Sequence, residues 1–287
     1  MNKILKQDIE AFTLPASLTE PLKNSVIIVT GATGFIGSSI VRFLSALDLG
    51  IRFILPVRNK QKALSIFREE TGSIDLHETS LTDFFNSTDI DADYIIHCAS
   101  PTNGRYMSEH PAETFLLAVE STKAALDYSK KRRVKSMVYV SSIEYYGQIF
   151  HNRPVTEEMT GFVDHSSPRS CYPLGKQAAE YLSFSYASEY GVPVKIARLT
   201  QTFGAGISPD DTRVFAQFAR CAIDGNDITL HTEGKSAKPY CYISDCISAL
   251  IYILLKGTPG EAYNVATPGT YVTIKELATL YRELLNP

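Results

Sequence analysis

The feature that most constrains the fold is a strand, a glycine turn and a helix in immediate succession at residues 25–47. Residues 26–30 are all β-branched, which is typical of a strand buried on both faces of a parallel sheet. Gly31, Gly34 and Gly37 follow, and apolar residues then recur with helical spacing. Glycines at such a turn let backbone N–H groups approach a pyrophosphate at the helix N-terminus. The stretch therefore predicts a dinucleotide-binding turn rather than an ordinary strand-to-helix connection.

Strand-like and helix-like segments alternate along the chain as far as residue 199. The pattern predicts further strands at 51–57, 73–77, 94–98, 136–141 and 192–199, and helices at 60–70, 110–131 and 172–190. This alternation predicts a doubly wound parallel sheet of the Rossmann α/β class.

Three parts of the chain are predicted. Residues 1–24 form an N-terminal extension, with a short helix and an extended lead-in, and residues 25–199 form the dinucleotide-binding domain. Residues 200–287 have shorter pieces and many glycines and prolines, which predict a smaller α/β substrate lobe. Such a lobe covers the carboxyl ends of the strands, where open α/β sheets bind ligands. Residues 142–171 are expected to contribute to the same cleft.

Composition narrows the class of protein. Of the 287 residues, 44% are hydrophobic and the net charge is −3, which argues against a nucleic-acid partner. Five cysteines without a CxxC pair predict neither a disulfide framework nor a metal site, and they suit a reducing cytoplasm. We expect no membrane span and no signal peptide.

The cofactor choice rests on the end of the second predicted strand. Arg58 lies 21 residues after Gly37, and residues 51–68 contain no Asp or Glu that would take a ribose 2′-hydroxyl. An arginine there accommodates a 2′-phosphate, which favours NADP over NAD. The alternative is that Arg58 is a solvated residue at a helix start.

A second motif indicates acid–base chemistry. Tyr172 and Lys176 lie four residues apart at the start of a predicted helix, so they share one helical face. A phenol with a pKa of about 10 becomes an effective acid–base only when a nearby ammonium stabilises its phenolate. Ser141 and Ser142, at the end of the fifth predicted strand, have hydroxyls suited to bond a substrate oxygen beside Tyr172.

With these motifs the sequence resembles the extended short-chain dehydrogenase/reductase family, in particular its NAD-dependent epimerase/dehydratase branch that modifies nucleotide sugars. The resemblance covers about residues 25–285, through TGATGFIG at 30–37, YIIHCAS at 94–100, VYVSSIEYYG at 138–147, KIARLTQTFG at 195–204 and YCYISD at 240–245. It implies a Rossmann domain with bound NAD or NADP, a small C-terminal substrate lobe and a cytoplasmic homodimer. The helices at 110–131 and 172–190 would form the dimer interface.

The resemblance also assigns roles to residues. Tyr172 is similar to the general acid/base, Lys176 to its partner and cofactor contact, and Ser142, rather than Ser141, to the catalytic hydroxyl. The implied cofactor contacts are Gly31, Thr33, Gly34, Phe35, Ile36, Gly37, Arg58 and Ala99. The implied substrate contacts are Ser100, Gln201, Arg213 and Lys238; Gln201 and Lys238 replace the usual Asn and Arg.

Glu144 distinguishes between reactions within this family. Sugar 4,6-dehydratases and glucuronate decarboxylases resemble the sequence in placing Glu two residues after the catalytic hydroxyl, where it can abstract a proton next to a 4-keto group. Ile143 stands where dehydratases place Asp, which argues against dehydration. The alternative is that Glu144 is a surface loop residue.

The sequence thus predicts an enzyme that oxidises a nucleotide sugar at C4 and then epimerises, decarboxylates or dehydrates it. One alternative is an NADPH-dependent reductase of a keto sugar or another carbonyl, which Arg58 favours. Another, of a different class, is a non-catalytic protein that senses a dinucleotide.

Overall fold

In the computed structural model, residues 2–70, 73–101, 103–150 and 153–285 are described. Met1 and residues 286–287, at the ends of the predicted extension and lobe, lie outside this range. The helices are α1 Lys3–Ala11, α2 Ala16–Thr19, α3 Phe35–Ser45, α4 Lys60–Ile66, α5 Leu81–Ser87, α6 Gly104–Glu109, α7 Pro111–Arg132, α8 Cys171–Tyr190, α9 Val214–Ile223, α10 Ile243–Lys256 and α11 Ile274–Leu285. The strands are β1 Val26–Thr30, β2 Arg52–Val57, β3 Ser73–Glu78, β4 Tyr94–His97, β5 Ser136–Ser142, β6 Val194–Leu199, β7 Gln201–Phe203, β8 Ala237–Lys238, β9 Tyr240–Tyr242, β10 Ala262–Val265 and β11 Val272–Thr273.

A seven-stranded parallel sheet forms the centre of the molecule, in the order β10-β6-β5-β4-β1-β2-β3. Side chains alternate between its faces. Ile27 and Val29 of β1 belong to a core shared with α3 and α10, whereas Ile28 belongs to a second core beneath α5, α7 and α8. Burial on both faces explains the continuous apolar runs, and the predicted Rossmann class is confirmed.

The strand order reverses direction between β1 and β4. The chain runs outward from β1 through β2 to β3, then returns to place β4 on the other side of β1. Ligands of open α/β sheets bind at such a switch point, outside the carboxyl ends of the strands. The glycine turn follows β1 directly, so it lies at this point.

Several elements differ from those predicted. Helices α5 and α6 were not predicted; α6 lies in the connection between β4 and α7, in which Thr102 is outside the described residues. The lead-in expected to be extended is helical, with α2 followed by a 3₁₀ turn at Glu20–Leu22. Leu18 and Leu22 are buried in the core shared with α3, so packing rather than local propensity holds this extension in place.

The predicted boundary at residue 199, between the dinucleotide-binding domain and the lobe, does not match the limits of the central sheet. The chain after β6 forms two small sheets, β7 with β9 and β8 with β11, together with α9 and α11. It then returns to the central layer, because α10 packs on the main sheet and β10 pairs with β6 as the seventh strand. Residues 243–265 therefore belong structurally to the sheet rather than to a separate lobe.

Candidate active site

The glycine turn is shaped by close backbone approaches. Gly31 has φ +65°, a conformation that favours glycine, and a Cβ there would lie 2.9 Å from the Ala99 Cα atom after β4. A Cβ on Gly37 would lie 2.4 Å from the Gly31 carbonyl oxygen. Because side chains are excluded at these two positions, α3 begins close against the sheet. Its first N–H groups, which an α-helix leaves without internal partners, are the donors that a pyrophosphate needs.

The residues predicted to contact a cofactor are grouped around this turn. Thr33, Phe35 and Ile36 are partly buried where α3 begins, so the turn and the helix start fit a dinucleotide. Arg58 is exposed where β2 ends. The Arg58 charge acts on Tyr106 in α6: it opposes the rise in the pKa of Tyr106 that a hydrogen bond to Glu113 causes. Arg58 therefore lies near α6.

A buried histidine fixes the end of β4. Nδ1 of His97 lies 2.8 Å from the Thr30 hydroxyl, and Nε2 lies 3.3 Å from the Ser121 hydroxyl. The Thr30 hydroxyl also accepts a hydrogen bond from the Ala99 amide at 3.1 Å. Burial lowers the pKa of His97 to about 3, so the imidazole is neutral. His97 therefore has a structural role, aligning β1 with the segment that packs on Gly31.

Tyr172 and Lys176 lie in the first two turns of α8, as their spacing predicts. Lys176 is 2% exposed, and its ammonium donates to the Val140 carbonyl of β5 at 2.8 Å. The Nζ atom is 5.6 Å from the centre of the Tyr172 ring and 4.8 Å from that of Tyr139. The structure therefore brings the phenol and the ammonium together at the carboxyl end of β5.

The two adjacent serines point to different places. Ser141 is buried, and its hydroxyl donates to the Glu180 carboxylate within the core. The Ser142 hydroxyl accepts the Glu144 amide at 3.2 Å and hydrogen-bonds with Tyr172. Alternation of side chains along β5 explains the difference. Ser142 faces Tyr172, which agrees with the role that the resemblance gives it.

Glu144 is a half-buried residue of the site, not a solvated loop residue. It lies in a 3₁₀ turn, Ile143–Tyr146, directly after β5. Arg169 donates from Nη2 to both of its carboxylate oxygens, at 3.1 and 2.9 Å. The Arg169 guanidinium also lies over the Tyr172 ring, with Cζ 5.3 Å from the ring centre. Sequence reasoning missed Arg169, which lies three residues before Tyr172 in the 3₁₀ turn Pro168–Ser170 that leads into α8.

Burial and charge set the acid–base properties of this cluster. Burial and the Glu144 carboxylate raise the pKa of Tyr172 to about 12, against hydrogen bonds from Ser142 and Ser100 and the Arg169 charge. Burial also lowers the pKa of Lys176 to about 8, against the Glu180 and Glu144 charges. Both shifts favour the neutral forms of the two groups. Strongly shifted pKa values in a neighbouring phenol and ammonium make this pair a candidate functional site.

A second arginine–glutamate pair lies beneath the cluster. Arg198 of β6 donates from Nε and Nη2 to Glu180 of α8, with the shortest bond at 2.7 Å, and both residues are 4% exposed. Its Nη1 donates to the Tyr146 hydroxyl and to the Glu157 carbonyl. This pair was also missed from the sequence. The signal was present, because Glu180 follows Lys176 by four residues and so lies on the same face of α8.

The predicted substrate contacts are less closely grouped. Ser100 hydrogen-bonds with Tyr172 and so belongs to the central cluster. Gln201 lies in β7 and Lys238 in β8, both partly buried. Arg213 immediately precedes α9, where its Nη2 and Nε bond Asp211 and its Nη1 donates to the Thr202 carbonyl at 3.0 Å. These three residues line the lobe rather than touch Tyr172.

Neither a metal-binding cluster nor a membrane-spanning helix is found in the part of the chain that the structure describes. No group of three or more His, Cys, Asp or Glu side chains there is arranged to hold a metal ion. None of the helices found there combines the length and hydrophobicity that a membrane crossing requires.

The fold and the site together define the class of protein, a Rossmann-type parallel sheet with a glycine turn at its switch point and a buried tyrosine–lysine pair at the end of β5. The model of the NAD dependent epimerase/dehydratase family matches residues 27–266, and the chain belongs to that family.

Two sequence relatives are both named as UDP-glucuronic acid decarboxylases. The chain is 30% identical over 288 residues to UDP-glucuronic acid decarboxylase 3 of Arabidopsis thaliana, covering 96% of this chain and 81% of that protein. It is 27% identical over 260 residues to UDP-glucuronic acid decarboxylase 1 of Xenopus tropicalis, covering 91% of this chain and 60% of that protein.

Solved structures support the fold. UDP-glucose 4-epimerase of Thermotoga maritima, crystallised with UDP-glucose, superposes with a TM-score of 0.78 at 23% identity, covering 91% of this chain and 84% of that one. The dTDP-glucose 4,6-dehydratase of Bacillus anthracis, in complex with NAD, gives a TM-score of 0.76 at 22% identity, covering 91% and 81%.

Proposed function

We propose that this protein is an NAD(P)-dependent enzyme that oxidises a nucleotide sugar at C4 and then converts the 4-keto intermediate. One observation carries the proposal. A single cluster at the carboxyl end of β5 contains Tyr172, Lys176, Ser142 and Glu144. Ser100 belongs to it too, and its neighbour Ala99 packs against Gly31 in the glycine turn.

In the first step, the side chains of the cluster handle the proton of the sugar hydroxyl. Tyr172 in its phenolate form removes the C4 hydroxyl proton, and the Lys176 ammonium favours this form by its charge, against the burial and the Glu144 charge that raise the pKa of the phenol. Ser142 and Ser100 hydrogen-bond with Tyr172 and so fix the phenol where the C4 oxygen binds. When bound, the nicotinamide ring accepts the hydride that C4 loses.

In the second step, Glu144 acts on the oxidised sugar. A 4-keto group acidifies the neighbouring carbon, so a carboxylate beside it can take a proton or assist loss of a substituent. The Nη2 group of Arg169 holds Glu144 in this position by donating to both carboxylate oxygens. Ile143, where dehydratases place Asp, favours decarboxylation or epimerisation over dehydration. The sequence relatives reported above are named UDP-glucuronic acid decarboxylases, and these names support decarboxylation.

The cofactor preference follows from the end of β2. Arg58 is exposed there, and residues 51–68 contain no acidic side chain. This supports NADP, whereas the structural neighbours solved with NAD support NAD. An NADPH-consuming reductase of a keto sugar is the second candidate, because Arg58 favours NADP. A non-catalytic sensor is disfavoured, since Tyr172 and Lys176 are both in place.

We also propose a cytoplasmic homodimer formed through α7 and α8. Leu116, Tyr181 and Phe184 of these helices are between 48% and 71% exposed, which leaves an apolar surface on the pair. All five cysteines are free thiols, which suits a reducing compartment.

The test is made on the protein as purified. It is denatured, the supernatant is analysed for nicotinamide nucleotides, and the native protein is incubated with a panel of nucleotide sugars. Tightly held NAD⁺, with product formed without added cofactor, is the expected result. An empty protein that binds NADPH far better than NADH favours the reductase instead.

The Tyr172→Phe variant tests the chemistry. It removes the acid–base hydroxyl and keeps the ring, so it should fold and bind cofactor while turnover falls by roughly 10²–10⁴-fold. Near-wild-type turnover in this variant would remove Tyr172 from the mechanism.

A further inference from the structure

Helix α1 lies outside the part of the chain that the family model matches, yet it packs on the helix that begins at the glycine turn. The model matches residues 27–266, whereas α1 spans Lys3–Ala11. Leu5 of α1 is 4% exposed. Phe12, the residue after the helix, packs edge-on against Phe43 of α3, with 5.0 Å between the ring centres. These contacts fix α1 to α3.

The same helix also holds the chain that follows β7. The Asp8 carboxylate accepts a hydrogen bond from the Tyr242 hydroxyl of β9 at 2.6 Å, although the two residues are 234 positions apart. The Tyr242 hydroxyl also hydrogen-bonds with the Ala205 backbone. A Cβ on Gly206 would lie 3.6 Å from Cδ2 of Leu5, so α1 meets this chain at a second point.

Residues 204–206, which we call the border segment, lie beside the glycine turn. A Cβ on Gly206 would lie 3.9 Å from Cε2 of Phe35, the first residue of α3. In the sheet, β5 and β4 separate β6 from β1, so the chain from Leu199 to Gly206 crosses from one side of the site to the other. Ligands of open α/β sheets bind at this edge of the sheet. The border segment therefore limits the cleft where α3 begins.

The border segment depends on outside contacts for its order. Gly204 and Gly206 have φ values of +146° and +99°, and glycine loses more conformational freedom on ordering than any other residue. A Cβ on Gly204 would lie 3.3 Å from Cε2 of Tyr242, so the Tyr242 ring packs on the segment while its hydroxyl bonds Asp8. The hydrogen bond to α1 thus holds the ring that holds the segment.

The proposed chemistry gives a reason to hold the cleft closed at this point. C4 of the sugar loses a hydride to the nicotinamide in the first step, and a cycle that ends in reduction returns it from the same nucleotide. If the reduced nucleotide left between these steps, the sugar would remain a 4-keto product. Release of the nucleotide must therefore be slow compared with turnover.

We propose that α1 slows the release of the bound nicotinamide nucleotide, because Asp8 and Leu5 hold the border segment beside the glycine turn. Both are positioning residues, since they act through Tyr242 and Gly206. The inference rests on the proposed function in one respect: it requires a bound nicotinamide nucleotide. It goes further by giving a helix outside the family region a role in retaining that nucleotide.

The experiment removes the hydrogen bond from either side. The variants are Asp8→Ala, Tyr242→Phe and the two changes together. Glu10→Ala is the control on α1, because Glu10 is exposed there. Tyr252→Phe is the control for the loss of a phenol hydroxyl, because Tyr252 is on α10 and is 59% exposed. Thermal unfolding checks that each variant is folded.

Two quantities are measured on each full-length variant. The protein is loaded with NADH, and in a second series with NADPH, and mixed with an excess of the oxidised nucleotide; the change in nicotinamide fluorescence gives the rate of release. Hydrogen exchange of peptides that contain residues 204–206, followed by mass spectrometry without nucleotide, gives the mobility of the border segment.

Asp8→Ala and Tyr242→Phe should each release the tighter-bound nucleotide roughly 3- to 10-fold faster than wild type, the range of one hydrogen bond. The double variant should release it no more than about twofold faster than either single variant, since both changes remove the same bond. Exchange in the border segment should rise in all three. Glu10→Ala and Tyr252→Phe should match wild type in both measurements.

Faster exchange with unchanged release would show that α1 only supports the lobe, and it would overturn the inference. Unchanged exchange together with unchanged release would overturn it as well. Failure of the proposed function gives different results. If wild type binds NADH or NADPH but converts no nucleotide sugar, the sugar chemistry fails while the release rates still decide the role of α1. If wild type binds neither nucleotide, the dinucleotide site fails and the inference fails with it.

Discussion

Two arginine–glutamate pairs flank Tyr172 and Lys176, the proposed catalytic residues of α8, and the two pairs differ in burial and in hydrogen bonding. The pair of Arg198 and Glu180 is inside the core, with both side chains 5% exposed. The pair of Arg169 and Glu144 lies at the cleft, with side chains 38% and 33% exposed.

The bonding of the two pairs differs in the same way. Every nitrogen of Arg198 donates to a protein group, and Glu180 also accepts the Ser141 hydroxyl. Arg169, in contrast, retains an unpaired Nη1. The closed network of Arg198 fixes the distance between α8 and the sheet, whereas the network of Arg169 leaves one buried donor without a partner among the described residues. Burial and complete hydrogen bonding therefore distinguish the charged residues that stabilise the site from those proposed to take part in its chemistry.

The largest expected effect is on stability, from Arg198→Met. Removing one partner of a buried ion pair leaves the other charge uncompensated, at a cost of about 3–5 kcal/mol in the free energy of unfolding. The matched change at the cleft, Arg169→Met, should cost less than about 1 kcal/mol, because its partner stays hydrated. Urea denaturation of both variants measures the difference. Equal costs would remove the distinction between the two pairs.

The next effect is on turnover, from Glu144→Gln. The change keeps the shape of the side chain but removes its basicity, so product formation should fall by roughly 10²-fold with little loss of stability. Oxidation at C4 should still occur, so the 4-keto intermediate and the reduced cofactor should accumulate, which mass spectrometry and absorbance measure. Glu158→Gln, at an exposed position in the same connection, is the control. Unchanged product formation in Glu144→Gln would return Glu144 to a surface role.

The fold was largely predictable because its central strands are buried on both faces. The predicted strand at residues 26–30 is β1 itself, and the other five predicted strands of the sheet lie within two residues of those observed. The seventh, β10, was missed because its sequence, Ala-Tyr-Asn-Val, lacks an apolar run. As an edge strand it pairs on one side only, so its position depends on tertiary contact with β6. Helix α5 was missed for its shortness, although Ser80 and Asp83 form an N-terminal cap.

The site was predictable only where its chemistry lies in short motifs. Tyr172 and Lys176 lie on one helix, four residues apart, so spacing alone places them together. The partners Arg169 and Glu144 are 25 residues apart in different turns, and a charge in a single sequence does not indicate its partner. For the same reason, the closed bonding of Arg213 in the lobe was not foreseen. Its contact with the substrate stays a prediction.

The smallest expected effect concerns Lys176, whose pKa is affected by the carboxylates of both pairs. Burial lowers its pKa to about 8, and the Glu180 charge opposes this more than the Glu144 charge does. If the ammonium stabilises the Tyr172 phenolate, the rate of cofactor reduction should fall as pH rises through about 8, where Lys176 loses its proton. Removing a neighbouring negative charge lowers the pKa of Lys176 further, so the alkaline fall should move to lower pH.

The shift should be larger for Glu180→Gln than for Glu144→Gln, and less than about one pH unit in each. Stopped-flow measurement of cofactor reduction across this range, in the activity that each variant retains, gives the two shifts. A larger shift for Glu144→Gln would mean that the cleft pair, rather than the buried pair, controls the ammonium. The pair of Arg198 and Glu180 would then stabilise α8 without setting the pKa of Lys176. Its role would be structural only, and the charges that affect the chemistry would all belong to the pair of Arg169 and Glu144.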